Sequence, residues 1–299
     1  MQTYLPNMRC TIKSNKVSAI LIVALCAVSV REIGRIGHEI WLKSHDLTAL
    51  HVSEKSAGDV ATDIDVWAEN ALRELLIELL PGSKFLGEET GGILSDEPMW
   101  IVDPVDGTAN FARGYPQWCV SVALAIKGEV VLGVIVDPNR QETFYATAGK
   151  GAWLESSHGL QRLACSNVHQ PLKAIVSTVF PKPLSPLMPP YLAEFAQVIR
   201  SVGQLRRSGS MALELAYVAA GRADAFWERG MGAWDAAAGI VLIREAGGSV
   251  VALDDLPLLG SQHLAAGSAA MLPHLFSLLR EPATEIVQSL YPKRKCKAL

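Results

Sequence analysis

Apolar side chains recur every three or four residues in two long segments near the N-terminus, and this spacing predicts two amphipathic helices. In the first, fourteen mostly apolar residues from Val17 to Val30 lead without a turn signal into a periodic segment that ends at Trp41. The second follows Asp63 and stops at Pro81. The first run resembles a signal-peptide core, but it is too short to span a bilayer and continues into a helical pattern. We therefore interpret it as a helix that is buried at its start.

Apolar runs bounded by turn signals predict strands in the middle of the chain. Lys127-Gly128 separates two β-rich runs and is typical of a hairpin. Pro104 follows another run and has no N–H to donate, so we expect the sheet ladder to stop there. The predicted strands cover residues 85–88, 99–102, 119–126, 129–136 and 142–147. Together they predict an antiparallel sheet that is backed by the two helices and forms a first lobe.

From residue 166 onwards strands and helices alternate, which predicts an α/β second lobe. Residues 180–190 contain five prolines and are interpreted as an irregular loop. Predicted strands cover residues 173–179, 223–228 and 248–252, and predicted helices cover residues 191–202, 208–220 and 271–280, with another opening at 234. We expect the lobes, residues 1–165 and 166–299, to act as one functional unit.

Composition excludes several classes of protein. The 299 residues are 49% hydrophobic and 19% charged, which is typical of a globular chain. With a net charge of −3, no basic field indicates a nucleic-acid or membrane surface. Five scattered cysteines without a Cys-x-x-Cys pair predict reduced thiols and a cytoplasmic location. The basic tail at residues 292–297 is interpreted as a solvated terminus.

The strongest chemical signal is the stretch Trp-Ile-Val-Asp-Pro-Val-Asp-Gly-Thr-Ala-Asn-Phe at residues 100–111. An apolar run ends at Asp103, and Asp106-Gly107-Thr108 suits a tight turn that opens into a helix. Such a turn leaves N–H groups pointing outward. Two carboxylates beside free N–H groups can hold hard cations and the phosphate that those cations bridge. Alone, an Asp-x-x-Asp is more often a surface turn.

Three further motifs accompany this stretch: Gly87-Glu88-Glu89, Val-Ala-Thr-Asp at residues 60–63, and Ala-Trp-Asp-Ala-Ala-Ala-Gly at residues 233–239. With them the sequence resembles the inositol monophosphatase family of magnesium-dependent sugar phosphatases. That family carries Gly-Glu-Glu, Asp-Pro-Ile/Val-Asp-Gly-Thr-x-Asn-Phe and Trp-Asp-x-Ala-Ala-Gly. The resemblance runs from about Ser14 to Arg280 in family order and looks closest to bacterial members. It implies a layered αβαβα sandwich.

The resemblance also implies two to three Mg²⁺ ions. One is expected on Glu88, Asp103 and the backbone carbonyl of Val105, and a third, looser ion is expected to share Glu88. The second is expected on Asp103, Asp106 and Asp235. An all-oxygen, histidine-free ligand set suits Mg²⁺, and without cations these acids would repel one another.

Catalytic roles follow from the same resemblance. Thr108, oriented by Asp63, is expected to position and deprotonate the attacking water, so that phosphate leaves without a phosphoenzyme. From the residues alone, Asp63 would be interpreted as a helix N-cap. Lys55 matches a loop lysine near the metals, although it could equally be a surface lysine.

Substrate recognition is expected to involve both lobes. The implied contacts are Asp106, Gly107, Thr108, Gly209, Ser210, Met211 and Glu228. Glu228 matches a carboxylate that accepts hydrogen bonds from the polyol. Met211 replaces a small residue of the family, so we expect it to narrow or re-aim the polyol pocket.

The implied activity is magnesium-dependent hydrolysis of inositol monophosphate or a related small polyol phosphate. Fructose 1,6-bisphosphate, histidinol phosphate, 3'-phosphoadenosine phosphate and NADP are alternative substrates within the family. A different class of function also remains open, because some bacterial members act as partners of the transcription and ribosome-assembly machinery. A homodimer and inhibition by lithium are further expectations from the resemblance.

Overall fold

Two long helices near the N-terminus form one outer layer of the molecule. The computed structural model describes residues 18–46, 50–56 and 59–280. Helix α1 covers Ala19–Lys43 and helix α2 covers Asp63–Leu79, as predicted. Between them lies a hairpin of β1 (Val52–Ser56) and β2 (Asp59–Thr62), where only a loop or short extended segment was expected. In the described chain, no helix is both long enough and apolar enough to cross a bilayer.

The helical layer packs on a sheet that has seven strands within the described residues. Its order is β3-β4-β5-β6-β7-β8-β9, with β3 and β4 parallel and every other pair antiparallel. The strands are β3 (Lys84–Gly87), β4 (Met99–Asp106), β5 (Cys119–Ile126), β6 (Glu129–Asp137), β7 (Glu142–Thr147), β8 (Ala152–Ser156) and β9 (Gly159–Arg162). Helix α1 contacts β6 and β7, whereas α2 contacts β4. Strands β8 and β9 were not predicted, because both are short and β9 is exposed throughout.

Pro104 does not end its strand, and the prediction that it would was wrong. Strand β4 pairs with β5 both before the proline, at Asp103 with Ser121, and after it, at Asp106 with Cys119. The ladder is irregular between these two pairs, so the missing N–H of Pro104 falls where no regular pairing is needed. The irregularity keeps both aspartates on one strand.

A second sheet and two layers of helices complete the molecule. The second sheet has the order β11-β10-β12-β14-β13. Its strands are β10 (Ile175–Thr178), β11 (Gln204–Arg206), β12 (Ala225–Arg229), β13 (Gly248–Ala252) and β14 (His263–Ser268). Its helices are α4 (Met188–Ser201), α5 (Met211–Ala219), α6 (Ala233–Glu245) and α7 (Leu272–Arg280), while α3 (Thr108–Phe111) belongs to the central motif. Helix α6 contacts β5, β6 and β7 of the first sheet and β13 of the second. The αβαβα layering is thereby confirmed.

Tight packing holds α6 against the first sheet. A Cβ atom added at Gly133 of β6 would lie 2.7 Å from the carbonyl oxygen of Ala238 in α6. The apolar core between the sheets joins Ile101 and Ile135 to Leu215 and Ile240. The two halves of the sequence therefore share one core.

Several details differ from the predictions. Helix α4 begins at Met188 and includes Pro189 and Pro190, although the predicted start was Tyr191. A helix tolerates proline in its first turn, because the N–H groups there have no partner within the helix. Strands β11 and β14 were not predicted. The described cysteines, Cys26, Cys119 and Cys165, form no disulfide. Cys10, Cys296 and the basic tail lie outside the described residues.

Candidate active site

Three aspartates from distant parts of the sequence meet at one point. Strand β4 supplies Asp103 and Asp106, and the first turn of α6 supplies Asp235. One carboxylate oxygen from each lies within 4.8 Å of the other two. The packing of α6 on the first sheet brings Asp235 to the end of β4. The structure therefore brings together three of the four carboxylates that were predicted as metal ligands in one cluster.

Backbone and hydroxyl groups hold each aspartate through a single oxygen. Oδ1 of Asp103 accepts the N–H two residues ahead at 3.0 Å. Oδ2 of Asp106 accepts the hydroxyl of Ser210 at 2.6 Å and the N–H of Ala212 at 2.7 Å. Oδ2 of Asp235 accepts the N–H three residues earlier at 2.6 Å. Within the described residues, these hydrogen bonds leave the second oxygen of each aspartate for another ligand.

The charges of this cluster are strongly unfavourable without a cation. Burial raises the pKa of Asp103 well above its ordinary value, and the negative charges of Glu88, Asp106 and Asp235 raise it further. Burial, followed by the charges of Asp106 and Glu88, also raises the pKa of Asp235. Burial raises the pKa of Asp106 against several hydrogen bonds that lower it. A buried cluster with free oxygen donors fits a hard divalent cation such as Mg²⁺.

Glu88 and Lys55 stand beside this cluster. Glu88 follows β3 and lines the same cavity as the aspartates, and its Oε1 lies 3.2 Å from the Nζ of Lys55. Burial raises the pKa of Glu88 to about 7, against the opposing charge of Lys55. Glu89 binds the same ammonium group at 2.6 Å and is not among the described residues that line the cavity. The structure thus places Glu88 beside the three aspartates, and its role as a metal ligand stays a prediction.

Thr108 is oriented by Asp65 rather than by Asp63. The hydroxyl of Thr108 lies 2.9 Å from Oδ1 of Asp65 and 3.0 Å from the carbonyl oxygen of Val105. The other oxygen of Asp65 accepts the N–H of Thr62 at 2.8 Å and its hydroxyl. Burial raises the pKa of Asp65, against these hydrogen bonds from Thr62 and Thr108. The carbonyl of Val105, predicted as a metal ligand, is part of the same turn.

Asp63 lies at the solvent-exposed start of α2, and its pairing with Thr108 was a wrong prediction. Its carboxylate accepts the backbone N–H of His51 at 3.2 Å. The residue before it, Thr62, is the N-cap of α2, and Asp65 completes a capping box with it. The sequence carries this signal as Thr62-x-x-Asp65, which identifies the inward-facing acid two residues beyond Asp63.

A cavity of about 420 Å³ opens over the aspartates. Gly107 and Thr108 line it at the central motif. Gly107 has a φ of +98°, and an added Cβ would lie 3.0 Å from the carbonyl oxygen of Gln117, so glycine is required there. Trp234, Gly209 and Glu228 from the second half of the chain also line the cavity. The central motif and the second half of the chain therefore enclose one space.

The residues predicted to contact substrate divide into two groups. Gly209 and Glu228 line the cavity, whereas Ser210 and Met211 are not among its described lining residues. The hydroxyl of Ser210 binds Asp106 instead. The Met211 side chain is 3% exposed and packs in the core between the sheets. The expectation that Met211 narrows the polyol pocket was therefore wrong, because helix α5 directs this side chain into the core.

Glu228 presents a buried carboxylate at the cavity wall. Its Oε2 has no hydrogen-bond partner within the described part of the chain. Burial raises its pKa well above the ordinary value, with further contributions from Asp235 and Asp106 and an opposing one from Arg207. A buried polar atom without a partner is costly, so this oxygen is suited to a hydroxyl group of a ligand.

A cationic rim faces the aspartates and was not predicted from the sequence. The guanidinium of Arg207 lies 5.1 Å from the ring centre of Phe180, and both residues line the cavity with Lys182. Burial raises the pKa of Asp235, and the charge of Lys182 opposes part of this rise. Phe180 and Lys182 come from the proline-rich loop, where no periodic pattern indicated a function.

Comparisons with known proteins agree with this geometry. A model of the inositol monophosphatase family matches residues 24–287. An inositol-1-monophosphatase of Caulobacter vibrioides is 39% identical over 240 residues, which cover 79% of this chain and 93% of that protein. A Nus factor SuhB of Pasteurella multocida is 34% identical over 267 residues, covering 89% and 95% of the two chains. The crystal structure of the extragenic suppressor protein suhB from Bartonella henselae matches with a TM-score of 0.78 and 33% identity, over 88% of this chain and 99% of that one.

Proposed function

Because this chain belongs to the inositol monophosphatase family, we propose that it is a Mg²⁺-dependent phosphomonoesterase acting on inositol monophosphate or a related small polyol phosphate. The observation that carries the proposal is the cluster of Asp103, Asp106 and Asp235, whose oxygens approach within 4.8 Å at the floor of a cavity. Two buried carboxylates and one half-buried carboxylate at this separation need a compensating positive charge.

Two to three Mg²⁺ ions would be held at this floor. Glu88, Asp103 and the carbonyl of Val105 would hold one, and Glu88 would share a looser third. Asp103, Asp106 and Asp235 would hold another. Bound Mg²⁺ would make the attacking water more acidic and neutralise negative charge on the phosphate and the leaving oxygen.

Thr108 and Asp65 would handle the proton of the attacking water. Since the Thr108 hydroxyl donates to Asp65 at 2.9 Å, a lone pair of its oxygen is available to accept a proton from water. As that proton arrives, the hydroxyl proton of Thr108 can pass to Oδ1 of Asp65. The water oxygen would form its bond to phosphorus while the bond from phosphorus to the alcohol oxygen breaks, and the departing alcohol oxygen would take its proton from a solvent water.

The remaining lining residues would bind and orient the ester. The backbone N–H groups of Gly107 and Thr108 would receive phosphate oxygens, and Lys55 lies beside the same edge of the site. The Oε2 of Glu228, which has no hydrogen-bond partner among the described residues, would accept a hydroxyl of the polyol. Gly209 lines the cavity beside Gly107 and would contact the ester there. These residues would hold the phosphorus near the Thr108 hydroxyl.

A substrate panel assayed with Mg²⁺ and with a chelator tests the proposal. The panel contains inositol 1-phosphate, fructose 1,6-bisphosphate, histidinol phosphate, 3'-phosphoadenosine phosphate and NADP. We expect the largest kcat/KM for the inositol ester and no turnover of any ester with the chelator. Turnover that persists without divalent cations would contradict the metal-dependent mechanism, and a larger kcat/KM for another ester would reassign the substrate.

A role in transcription is a second candidate, favoured by relatives that carry the name Nus factor SuhB. In this role the chain would be a protein partner of the transcription machinery. A pull-down with RNA polymerase and its elongation factors tests it, and we expect a purely metabolic enzyme to recover neither.

By the same family membership we propose a cytoplasmic homodimer that lithium inhibits. Sedimentation of the purified protein and assays with lithium test the last two features.

A further inference from the structure

One face of helix α2 directs three charged side chains at the edge of the site. Asp65, Glu69 and Arg73 are four residues apart, so they lie in a row on the helix surface. Asp65 binds Thr108, as described above. Glu69 and Arg73 instead contact the turn at residues 87–91, which carries Glu88. Among the residues that the structure describes, neither Glu69 nor Arg73 lines the cavity.

We propose that Glu69 is a positioning residue whose carboxylate fixes the turn at residues 87–91 and thereby orients Glu88 towards Mg²⁺. This inference rests on the proposed function, because it takes Glu88 as a metal ligand. One helix face would then hold both the threonine that handles the proton and the glutamate that binds the cation. Asp65 acts through Thr108, and Glu69 acts through Glu88.

The contacts of Glu69 use both oxygens of a carboxylate that is 0% exposed. Oε2 accepts the N–H of Glu89 at 2.8 Å. Oε1 accepts the N–H of Thr90 at 2.9 Å and also its hydroxyl. On the other side, the N–H of Glu88 donates to the carbonyl of Val102 at 3.1 Å. The backbone that carries Glu88 is therefore held between strand β4 and the carboxylate of Glu69.

The surroundings are shaped for this carboxylate. A Cβ atom at Gly87 would lie 2.3 Å from Oε2 of Glu69, so the turn can approach this closely only with glycine. The guanidinium of Arg73 lies 4.0 Å from Oε1 of Glu69 and 4.1 Å from the ring centre of Phe85. Arg73 also donates to the hydroxyl of Thr90. The negative charge of Glu69 is thus partly compensated.

Glu88 needs such an anchor because the aspartates of the cluster repel it. The charges of Asp103 and Asp235 act against that of Glu88 across the cluster. A turn without an anchor can relax away from the aspartates and carry Glu88 with it. In a Glu69→Gln variant, the amide NH₂ would face a backbone N–H in either orientation, since each carboxylate oxygen accepts one. The substitution therefore releases the turn with almost no change of volume.

Calorimetric titration with Mg²⁺, without substrate, tests the inference on the full chain. The proteins are the unsubstituted chain, Glu69→Gln, Glu88→Gln and the double variant. Glu78→Gln is the matched control, because Glu78 is exposed on the same helix. We expect Glu69→Gln to weaken Mg²⁺ binding by about tenfold, as is common for residues that orient a metal ligand. We expect Glu78→Gln to leave binding unchanged and the double variant to bind no more weakly than Glu88→Gln.

The double variant separates positioning from a general loss of stability. If Glu69 acts only on stability, its substitution lowers the unfolding temperature but leaves Mg²⁺ affinity unchanged, and the inference is overturned. If Glu69→Gln weakens Mg²⁺ binding by the same factor in the Glu88→Gln background as in the unsubstituted chain, the inference is overturned as well, because Glu69 then acts independently of Glu88. Should Glu69→Gln not fold, Thr90→Val removes the hydroxyl that donates to Glu69 and accepts from Arg73. We then expect about threefold weaker Mg²⁺ binding, and unchanged binding in Thr90→Val overturns the inference.

The same titrations distinguish this inference from the proposed function. Unchanged Mg²⁺ binding in Glu88→Gln removes Glu88 from the ligand set and overturns the positioning inference, but it leaves the three aspartates to carry the proposed function. An unsubstituted chain that binds no Mg²⁺ overturns the proposed function itself. Weaker binding in Glu88→Gln with unchanged binding in Glu69→Gln overturns only the positioning role. Activation by Mg²⁺ gives a second readout, since Glu69→Gln should need about tenfold more Mg²⁺ for half-maximal rate while keeping kcat at saturation.

Discussion

The hydroxyl of Thr108 lies 2.9 Å from Oδ1 of Asp65, across a sequence separation of 43 residues. Asp65 lies in the first turn of helix α2, and Thr108 begins helix α3 two residues after the end of strand β4. The other oxygen of Asp65 is occupied by Thr62 at the helix start, so the carboxylate has a fixed direction. Asp63, at the exposed first position of the same helix, faces His51 instead.

This geometry predicts opposite outcomes for two neighbouring aspartates. We expect Asp65→Asn to lower kcat by roughly 100-fold, because the amide accepts a proton from Thr108 far less readily than the carboxylate. We expect Asp63→Asn to change kcat less than about twofold. Steady-state kinetics at saturating Mg²⁺ measure both. A larger loss of kcat in Asp63→Asn than in Asp65→Asn would contradict the assignment.

The carboxylate of Asp103 is repelled by neighbouring carboxylates in the folded protein and would supply ligand atoms to the proposed metal site. We therefore predict that Asp103→Asn abolishes turnover with little loss of folding. In the metal-free protein its unfolding temperature should equal or exceed that of the unsubstituted chain, since the substitution removes a buried charge that Glu88, Asp106 and Asp235 repel. Phosphatase assays and thermal unfolding measure the two effects. Retained turnover would contradict the role of Asp103.

Protons and Mg²⁺ should compete for the cluster. In the folded chain, burial raises the pKa of Asp103 and Asp235 and brings that of Glu88 to about 7. In the unfolded chain, the pKa of these acids is about 4. The folded metal-free protein therefore binds these protons more tightly, and the associated stability is lost as pH rises from about 4 towards 7 and above.

Because Mg²⁺ binds the deprotonated acids, its stabilising effect should increase over the same pH range. We expect the Mg²⁺-induced rise in unfolding temperature to be larger at pH 8 than at pH 5. Thermal unfolding of chelator-treated protein, with and without Mg²⁺, measures this rise. The Asp103→Asn variant provides the control and should show a smaller pH dependence. A rise that is constant from pH 5 to pH 8 would be inconsistent with the raised pKa values.

Glu228 should discriminate between esters by their alcohol group. We predict that Glu228→Ala raises KM for inositol 1-phosphate by about tenfold, which corresponds to the loss of about one hydrogen bond to a carboxylate. The KM for p-nitrophenyl phosphate, which has no hydroxyl for Glu228 to accept, should change less than about twofold. Equal effects on the two substrates would place Glu228 outside the recognition of the polyol.

Two glycines should respond in opposite directions to alanine. Gly133→Ala puts a methyl group 2.7 Å from the carbonyl of Ala238, so we expect it to lower the free energy of unfolding by about 1–3 kcal/mol and to weaken Mg²⁺ binding by displacing α6. Gly34 lies within α1 with no atom within 4 Å of an added Cβ, and Gly34→Ala should raise stability by about 0.5–1 kcal/mol. Denaturant unfolding measures both, and a stabilising Gly133→Ala would contradict the packing described for α6.

Much of the fold was predictable because it follows from local patterns. The structure confirmed the predictions of helices α1 and α2, of the hairpin turn at Lys127-Gly128 and of the strand at residues 248–252. In each, periodicity or turn chemistry acts over only a few residues. Strand β11 was missed because it has only three residues, and β14 was missed because its sequence, His-Leu-Ala-Ala-Gly-Ser, is rich in alanine and glycine, which have low strand propensity.

Motif spacing along the sequence was enough to place Asp103, Asp106 and Asp235 at the ends of predicted elements. Which side chains meet follows from the tertiary structure. It selected Asp65 over Asp63 for Thr108, turned Met211 into the core and set Glu69 beneath the turn of Glu88. Side-chain direction depends on the phase of a helix against its packing partner, and that phase is fixed by contacts between segments that lie far apart in the chain.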